Sequence, residues 1–138
     1  MTDKVFIDSN VWIYLFTNED NFKCKMAEQF ILGNSVKNIF VISYQVINEI
    51  TNVLKRKNFT EIEIRYIIEN ISKICVIQDY SKEILLFASE LRENYNFSVW
   101  DSIIVSCAST SGCCLLISED MQNKMKIKGL AINNIFVV

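Results

Sequence analysis

The sequence predicts an α/β chain: a three-layer α/β/α architecture around a parallel sheet of four to five strands. The first observation behind this is a set of short, solidly apolar runs. They are Val5-Phe-Ile7, Ile39-Phe-Val-Ile42, Ile74-Cys-Val-Ile77, Cys114-Leu-Leu-Ile117 and Ile135-Phe-Val-Val138. Strands that do not alternate polar and apolar residues are buried on both faces, as in a parallel sheet. The second observation is that longer amphipathic stretches, with the spacing of crossover helices, separate most of these runs. The third is size: 138 residues with 51% hydrophobic content correspond to one domain, taken as 1–138, able to bury a core without disulfides or a structural metal.

Each element has a local cause. Asp8-Ser9-Asn10 follows the first strand with capping side chains, and Val11 to Phe16 continues as a short helix. Phe22 to Ile31 is amphipathic. Ser43 caps a helix running from Tyr44 to about Lys57, and Thr60 with Glu63 forms a capping box for the next. Ser81 caps a helix reaching about Tyr95, and Ser98 caps another through Ser109.

Composition removes several chemistries. There is no histidine and no proline, and only three scattered glycines occur. An imidazole general base, a Ser-His-Asp triad and a glycine-rich phosphate cradle are therefore absent. The five cysteines show no C-x-x-C pair and sit mostly among apolar residues, which reads as free thiols in a reducing compartment. The opening Met1-Thr-Asp-Lys lacks a signal peptide's apolar run, and no apolar run approaches a membrane span. The expected location is the cytoplasm, with no membrane partner. A net charge of −2 is not the footprint of a strongly basic nucleic-acid binder.

Carboxylates remain as the chemistry-bearing groups. Asp8 follows the first strand, and Asp120 follows the fourth after Ser118. In open parallel sheets ligands bind beyond the carboxyl ends of the strands. Asp101 lies in a helical first turn beside Trp100, Ile104, Val105 and Ala108, an apolar face where a carboxylate needs a partner. Glu49 lies on a polar stripe with Gln45, Asn52 and Arg56. Singly, each has a bland explanation: Asp8 as a helix cap, Ser98 to Asp101 as a capping box, Ser118-Glu-Asp120 as a polar turn, Glu49 as a solvated face. Jointly, packed carboxylates repel unless a cation intervenes, and with oxygen donors alone that cation is Mg²⁺ or Mn²⁺. Asn10 and Ser118 supply supporting oxygens.

In this order these residues resemble the PIN-domain nucleases, and among them the VapC-like toxins of bacterial toxin–antitoxin pairs. The matching segments are Val5-Phe-Ile-Asp8-Ser-Asn10-Val, Val46-Ile-Asn-Glu49-Ile, Phe97-Ser-Val-Trp-Asp101-Ser-Ile-Ile and Leu116-Ile-Ser118-Glu-Asp120-Met. Gly129-Leu-Ala-Ile with Asn134-Ile-Phe is similar to family C-termini. The resemblance implies a Mg²⁺- or Mn²⁺-dependent endoribonuclease that cleaves RNA by a metal-activated water. It places Asp8, Glu49, Asp101 and Asp120 around the metal, and implies a homodimer and a cognate antitoxin that blocks the site. Ser9 stands where the family often has threonine, and Glu119 where asparagine is common.

Two local runs, Lys55-Arg56-Lys57 and Lys124-Met-Lys126-Ile-Lys128, read as solvated faces or as phosphate contacts, and Trp12, Tyr14 and Phe16 as core, dimer interface or base-stacking residues. Two other readings compete. Asp8-Ser-Asn10-Val is similar to the nucleophile motif of haloacid-dehalogenase-like phosphatases, with Asn10 in place of the second acid. The alternative outside enzymology is a non-catalytic binding or dimerisation module.

Overall fold

The computed structural model describes residues 2–137. Strand β1 (Lys4–Ile7) is followed by helices α1 (Ser9–Thr17) and α2 (Asn21–Asn34), then β2 (Ile39–Ser43). Helices α3 (Tyr44–Arg56) and α4 (Glu61–Ile74) lead to β3 (Cys75–Gln78), and α5 (Lys82–Asn94) and α6 (Val99–Thr110) to β4 (Leu115–Ile117). A short hairpin, β5 (Lys126–Ile127) and β6 (Leu130–Asn133), closes the chain.

The predicted caps form. Ser43, Thr60, Ser81 and Ser98 each accept a bond from a backbone N–H in the first turn that would otherwise be unpaired, and Thr60 with Glu63 makes both halves of the capping box.

The sheet runs β3-β2-β1-β4-β6-β5, parallel throughout except for the antiparallel β5–β6 edge. β1 is central: Val5 aligns with Phe40 on one side and Phe6 with Leu116 on the other. The first two crossovers step outward from β1, and the third returns to its far side. Right-handed crossovers therefore put α1 to α4 on one face and α5 with α6 on the other. The strand order reverses between β1 and β4, which opens a crevice at their carboxyl ends.

The buried strand residues account for the parallel arrangement. Phe6, Ile7, Ile42 and Leu116 are fully buried, and Trp12 of α1 is sealed beneath them with its indole N–H donated to the Ile7 carbonyl (3.3 Å). Trp12 is thus a core residue and does not stack bases.

Two features differ from expectation. The sheet has six strands among the described residues, beyond the four or five predicted. Its last parallel strand is Leu130–Asn133, not Ile135–Val138. Residues 135–136 form a turn in which Asn134 Oδ1 accepts from the Phe136 N–H (2.8 Å), and Val138 lies outside the described residues. Phe136 is buried edge-on against Tyr14, with ring centroids 5.1 Å apart, so its apolarity serves tertiary packing. The hairpin turn has Lys128 and Gly129 both at positive φ (45° and 85°), and glycine adopts that region without strain.

Phe6→Ala removes the most enclosed aromatic of the central strand. Urea denaturation is expected to show a loss of about 3–5 kcal/mol, whereas exposed Ile62→Ala changes stability by less than about 0.5 kcal/mol. Equal effects would contradict this placement of the core.

Candidate active site

The crevice between β1 and β4 is where the acids meet. Asp8 is the first residue beyond β1. Its N–H extends the ladder to the Ile117 carbonyl (2.9 Å), and its carboxylate caps α1 by accepting from the Ser9 N–H (2.8 Å). The other carboxylate oxygen accepts from Ser118 Oγ (2.8 Å), the first residue beyond β4. Asp8 is both the expected cap and a buried carboxylate, only 5% exposed. Burial pushes its pKa up to about 6, against the pull of the Ser118 and Ser9 hydrogen bonds, and the nearby charges of Glu49 and Asp101 push the same way.

The other acids arrive from three further elements. Glu49 of α3 accepts from Ser9 Oγ (2.7 Å) through one oxygen and from Gln45 Nε2 (2.9 Å) through the other. Asp120 accepts from Asn10 Nδ2 (3.2 Å), and its own N–H reaches Ser118 Oγ (3.3 Å). Asn10 Oδ1 also accepts the Glu119 N–H (3.3 Å), so one amide ties the turn after β4 to α1. Asp101 stands at the start of α6, half-buried. Its pKa is raised by burial first, with the charges of Asp120 and Glu49 adding to the effect and Ser98 opposing it. Ser98 caps this helix through the Asp101 N–H (3.1 Å), but the reciprocal bond of a full capping box is not made.

All six predicted residues, Asp8, Asn10, Glu49, Asp101, Ser118 and Asp120, therefore come to one place. Asp8 lies within reach of the charges of Glu49 and Asp101, and Asp101 within reach of those of Asp120 and Glu49. Among the described residues no three of them close into a ready-made metal cage, and each oxygen network instead rests on Ser9, Asn10, Gln45 or Ser118. None of the three ion pairs among the described residues neutralises any of the four: these join Lys23 to Glu119, Lys55 to Glu61 and Lys57 to Glu19. The Lys55 and Lys57 charges expected to meet phosphate thus have carboxylate partners of their own.

Sequence reasoning left two supports without a role. Gln45 sits one turn before Glu49 on the noted polar stripe, and that spacing is the signal for its bond. The Lys23–Glu119 pair has no local signal, because 96 residues separate its members. Tyr14 donates to Glu119 (2.5 Å), and the Lys23 ammonium lies over the Tyr14 ring at 4.9 Å. This cluster braces the turn that carries Asp120. A larger cleft of about 940 Å³, between α5 and α6, holds Lys82, Glu83 and Lys128 but none of the acids. Among the cysteines, which all remain free thiols, Cys107 and Cys113 are buried and Cys114 is exposed.

The raised pKa of Asp8 has a defined sign in stability. The folded state binds its proton more tightly than the unfolded chain, whose aspartate has the ordinary value of 3.8. Stability therefore falls as pH rises from about 4 to about 6, by on the order of 3 kcal/mol. Asp8→Asn removes this term, and the Ser118 hydroxyl can rotate to accept from the new amide. Urea denaturation of both proteins should show the variant gaining on the native chain between pH 4 and pH 7. A gap that does not change with pH would contradict the buried, repelled carboxylate.

No curated protein sequence matches the chain significantly. Among solved structures, it superposes on a chain of DNA-bound VapBC from Salmonella typhimurium with a TM-score of 0.72, at 15% identity, over 98% of this chain and 99% of that one. For VapBC2 from Rickettsia felis, bound to a DNA fragment from its promoter, the TM-score is 0.70 at 17% identity, over 95% and 98% of the two chains. For the sarcin-ricin loop cleaving toxin VapC20 of Mycobacterium tuberculosis it is 0.64 at 16% identity, over 81% and 86%. At these identities the likeness is one of fold. The sequence itself matches the profile of the PIN domain across residues 5–126, a span that begins at β1 and takes in all four acids, and the chain belongs to the PIN domain family.

Proposed function

We propose that this PIN domain is a Mg²⁺- or Mn²⁺-dependent endoribonuclease and the toxin of a toxin–antitoxin pair. The observation that carries the reading is the convergence of Asp8, Glu49, Asp101 and Asp120 on the strand-order switch with no lysine or arginine paired to any of them. Such a cluster suits a hard divalent ion: its donors are all oxygen, and two of its members are already pushed toward protonation. Asp8, Asp101 and Asp120 would be the principal ligands, and Glu49 would serve a second ion or orient water. When bound, the ion supplies positive charge to the scissile phosphodiester and acidity to a water molecule.

The chain's own contribution is orientation. Ser118 and the Ser9 N–H aim the Asp8 carboxylate, Ser9 Oγ and Gln45 aim Glu49, and Asn10 aims Asp120. Asn10 is thereby engaged in holding the turn. Membership of the PIN family, together with this bonding, replaces the phosphatase reading, in which that position needs an acid. The chains similar in fold come from VapBC complexes, which supports a cognate antitoxin that covers the acid crevice. The homodimer is part of the same proposal. No helix among the described residues is long and apolar enough to cross a membrane; the proposed site of action is the cytoplasm.

Incubating the protein with total RNA and Mg²⁺ or Mn²⁺ is expected to give discrete fragments, with none in EDTA. Asp8→Asn is expected to abolish cleavage while the circular dichroism spectrum stays native. Ser118→Ala should weaken Mn²⁺ binding by about 10- to 100-fold, the usual cost of losing a group that orients a ligand. Cleavage that survives in folded Asp8→Asn, or that proceeds in EDTA, would overturn the mechanism.

A further inference from the structure

Beside the acids lies a cleft of about 480 Å³, and four of its lining residues, Asn48, Asn52, Tyr80 and Trp100, have no part in the metal chemistry. Glu49 and Asp101 form its inner edge. Its outer edge is aromatic: Trp100, 66% exposed at the start of α6, and Tyr80, 40% exposed on the segment between β3 and α5. Between them α3 presents the carboxamides of Asn48 and Asn52, one turn apart on an exposed face, and neither makes a side-chain hydrogen bond among the described residues. Gln45 holds the framework, donating to Glu49 (2.9 Å) and to the Trp100 carbonyl (3.4 Å) while accepting from the Tyr80 hydroxyl (3.5 Å).

This lining selects its ligand by chemistry. It contains no lysine or arginine, and its inner edge is anionic, so a phosphate is repelled. A neutral planar ring with hydrogen-bonding edges meets aromatic faces, two free amides capable of donating and accepting, and carboxylates that accept from exocyclic amines. The size is that of a small-ligand pocket.

We propose that this cleft is a nucleobase subsite, in which one unstacked base of single-stranded RNA packs on Trp100 and Tyr80 and is read by Asn48 and Asn52, next to the acids. The inference deepens the ribonuclease reading and rests on it for the choice of RNA. It makes the enzyme selective for unpaired RNA, because a base inside a duplex cannot reach the rings. Trp100 is a substrate-binding residue here and takes no part in metal ligation.

The test uses the full chain in EDTA, so that cleavage is excluded, with a single-stranded hexaribonucleotide as probe and a duplex of the same sequence as comparison. Of the two tryptophans, Trp12 is buried and Trp100 is exposed, so quenching of intrinsic fluorescence reports on Trp100. The single strand is expected to quench and the duplex is not. Read by fluorescence anisotropy of a 5′-labelled hexaribonucleotide, since the variants lack the Trp100 reporter, Trp100→Ala should lower affinity by about tenfold, the scale of one lost base–aromatic contact, and Trp100→Phe should restore most of it. Mn²⁺ binding should be the same in all three proteins. Unchanged RNA affinity in folded Trp100→Ala would overturn the subsite, and a simultaneous loss of self-association would reassign the cleft as a contact between copies of the chain. If the metal-nuclease reading alone fails, Mn²⁺ binding and cleavage are absent while single-strand quenching by Trp100 persists.

Discussion

One constraint governs this molecule: a carboxylate has been carried out of water at the point where the sheet reverses its strand order. Asp8 is enclosed between β1, β4 and α1, with hydrogen bonds from Ser9 and Ser118 and no lysine or arginine paired to it among the described residues. Two hydrogen bonds lessen the cost of desolvating a charge and do not cancel it. The nearby charges of Glu49 and Asp101 raise that cost. A fold that places four like charges around one crevice spends stability there, and the fully packed sheet must supply it from Phe6, Ile7, Ile42, Leu116 and Trp12.

The sheet also explains how distant residues meet. Asp8 and Ser118 are 110 positions apart, yet they are adjacent because β1 and β4 pair in parallel and each ends one residue earlier. Glu49 comes from the helix after β2, β1's other neighbour, and Asp101 from the helix before β4. The hydrogen bonds of Ser9, Asn10 and Gln45 then set the directions of side chains whose positions topology has already fixed. At the same rim, Lys23 is engaged by Glu119, the residue next to Asp120, and Tyr14 donates to the same carboxylate.

Much of this was legible in the chain itself. The first four strands are apolar runs whose type could be read because nothing in them alternates, and the helices announce themselves by Ser43, Thr60, Ser81 and Ser98. The acids were legible because strand ends and first helical turns are the positions from which side chains enter such a crevice. The β5–β6 hairpin was not. Its strands are two and four residues long, too short for periodicity, and its turn depends on backbone angles at Lys128 and Gly129. Ile135-Phe-Val drew the strand assignment by apolarity, while Asn134 folds that segment into a turn and Phe136 docks on Tyr14. The Lys55 and Lys57 pairings were likewise invisible, because ion pairing depends on what the rest of the chain brings alongside.

The central claim is that a divalent cation resolves the repulsion among the four acids. Titration of Mn²⁺ into the protein at neutral pH, followed by calorimetry or by loss of the free-ion paramagnetic signal, tests it most directly. The account predicts saturable binding by the native chain and loss of that binding in Asp101→Asn, which changes one charge at the half-exposed edge of the cluster. Mn²⁺ affinity that is absent in the native chain, or identical in the two proteins, would contradict it.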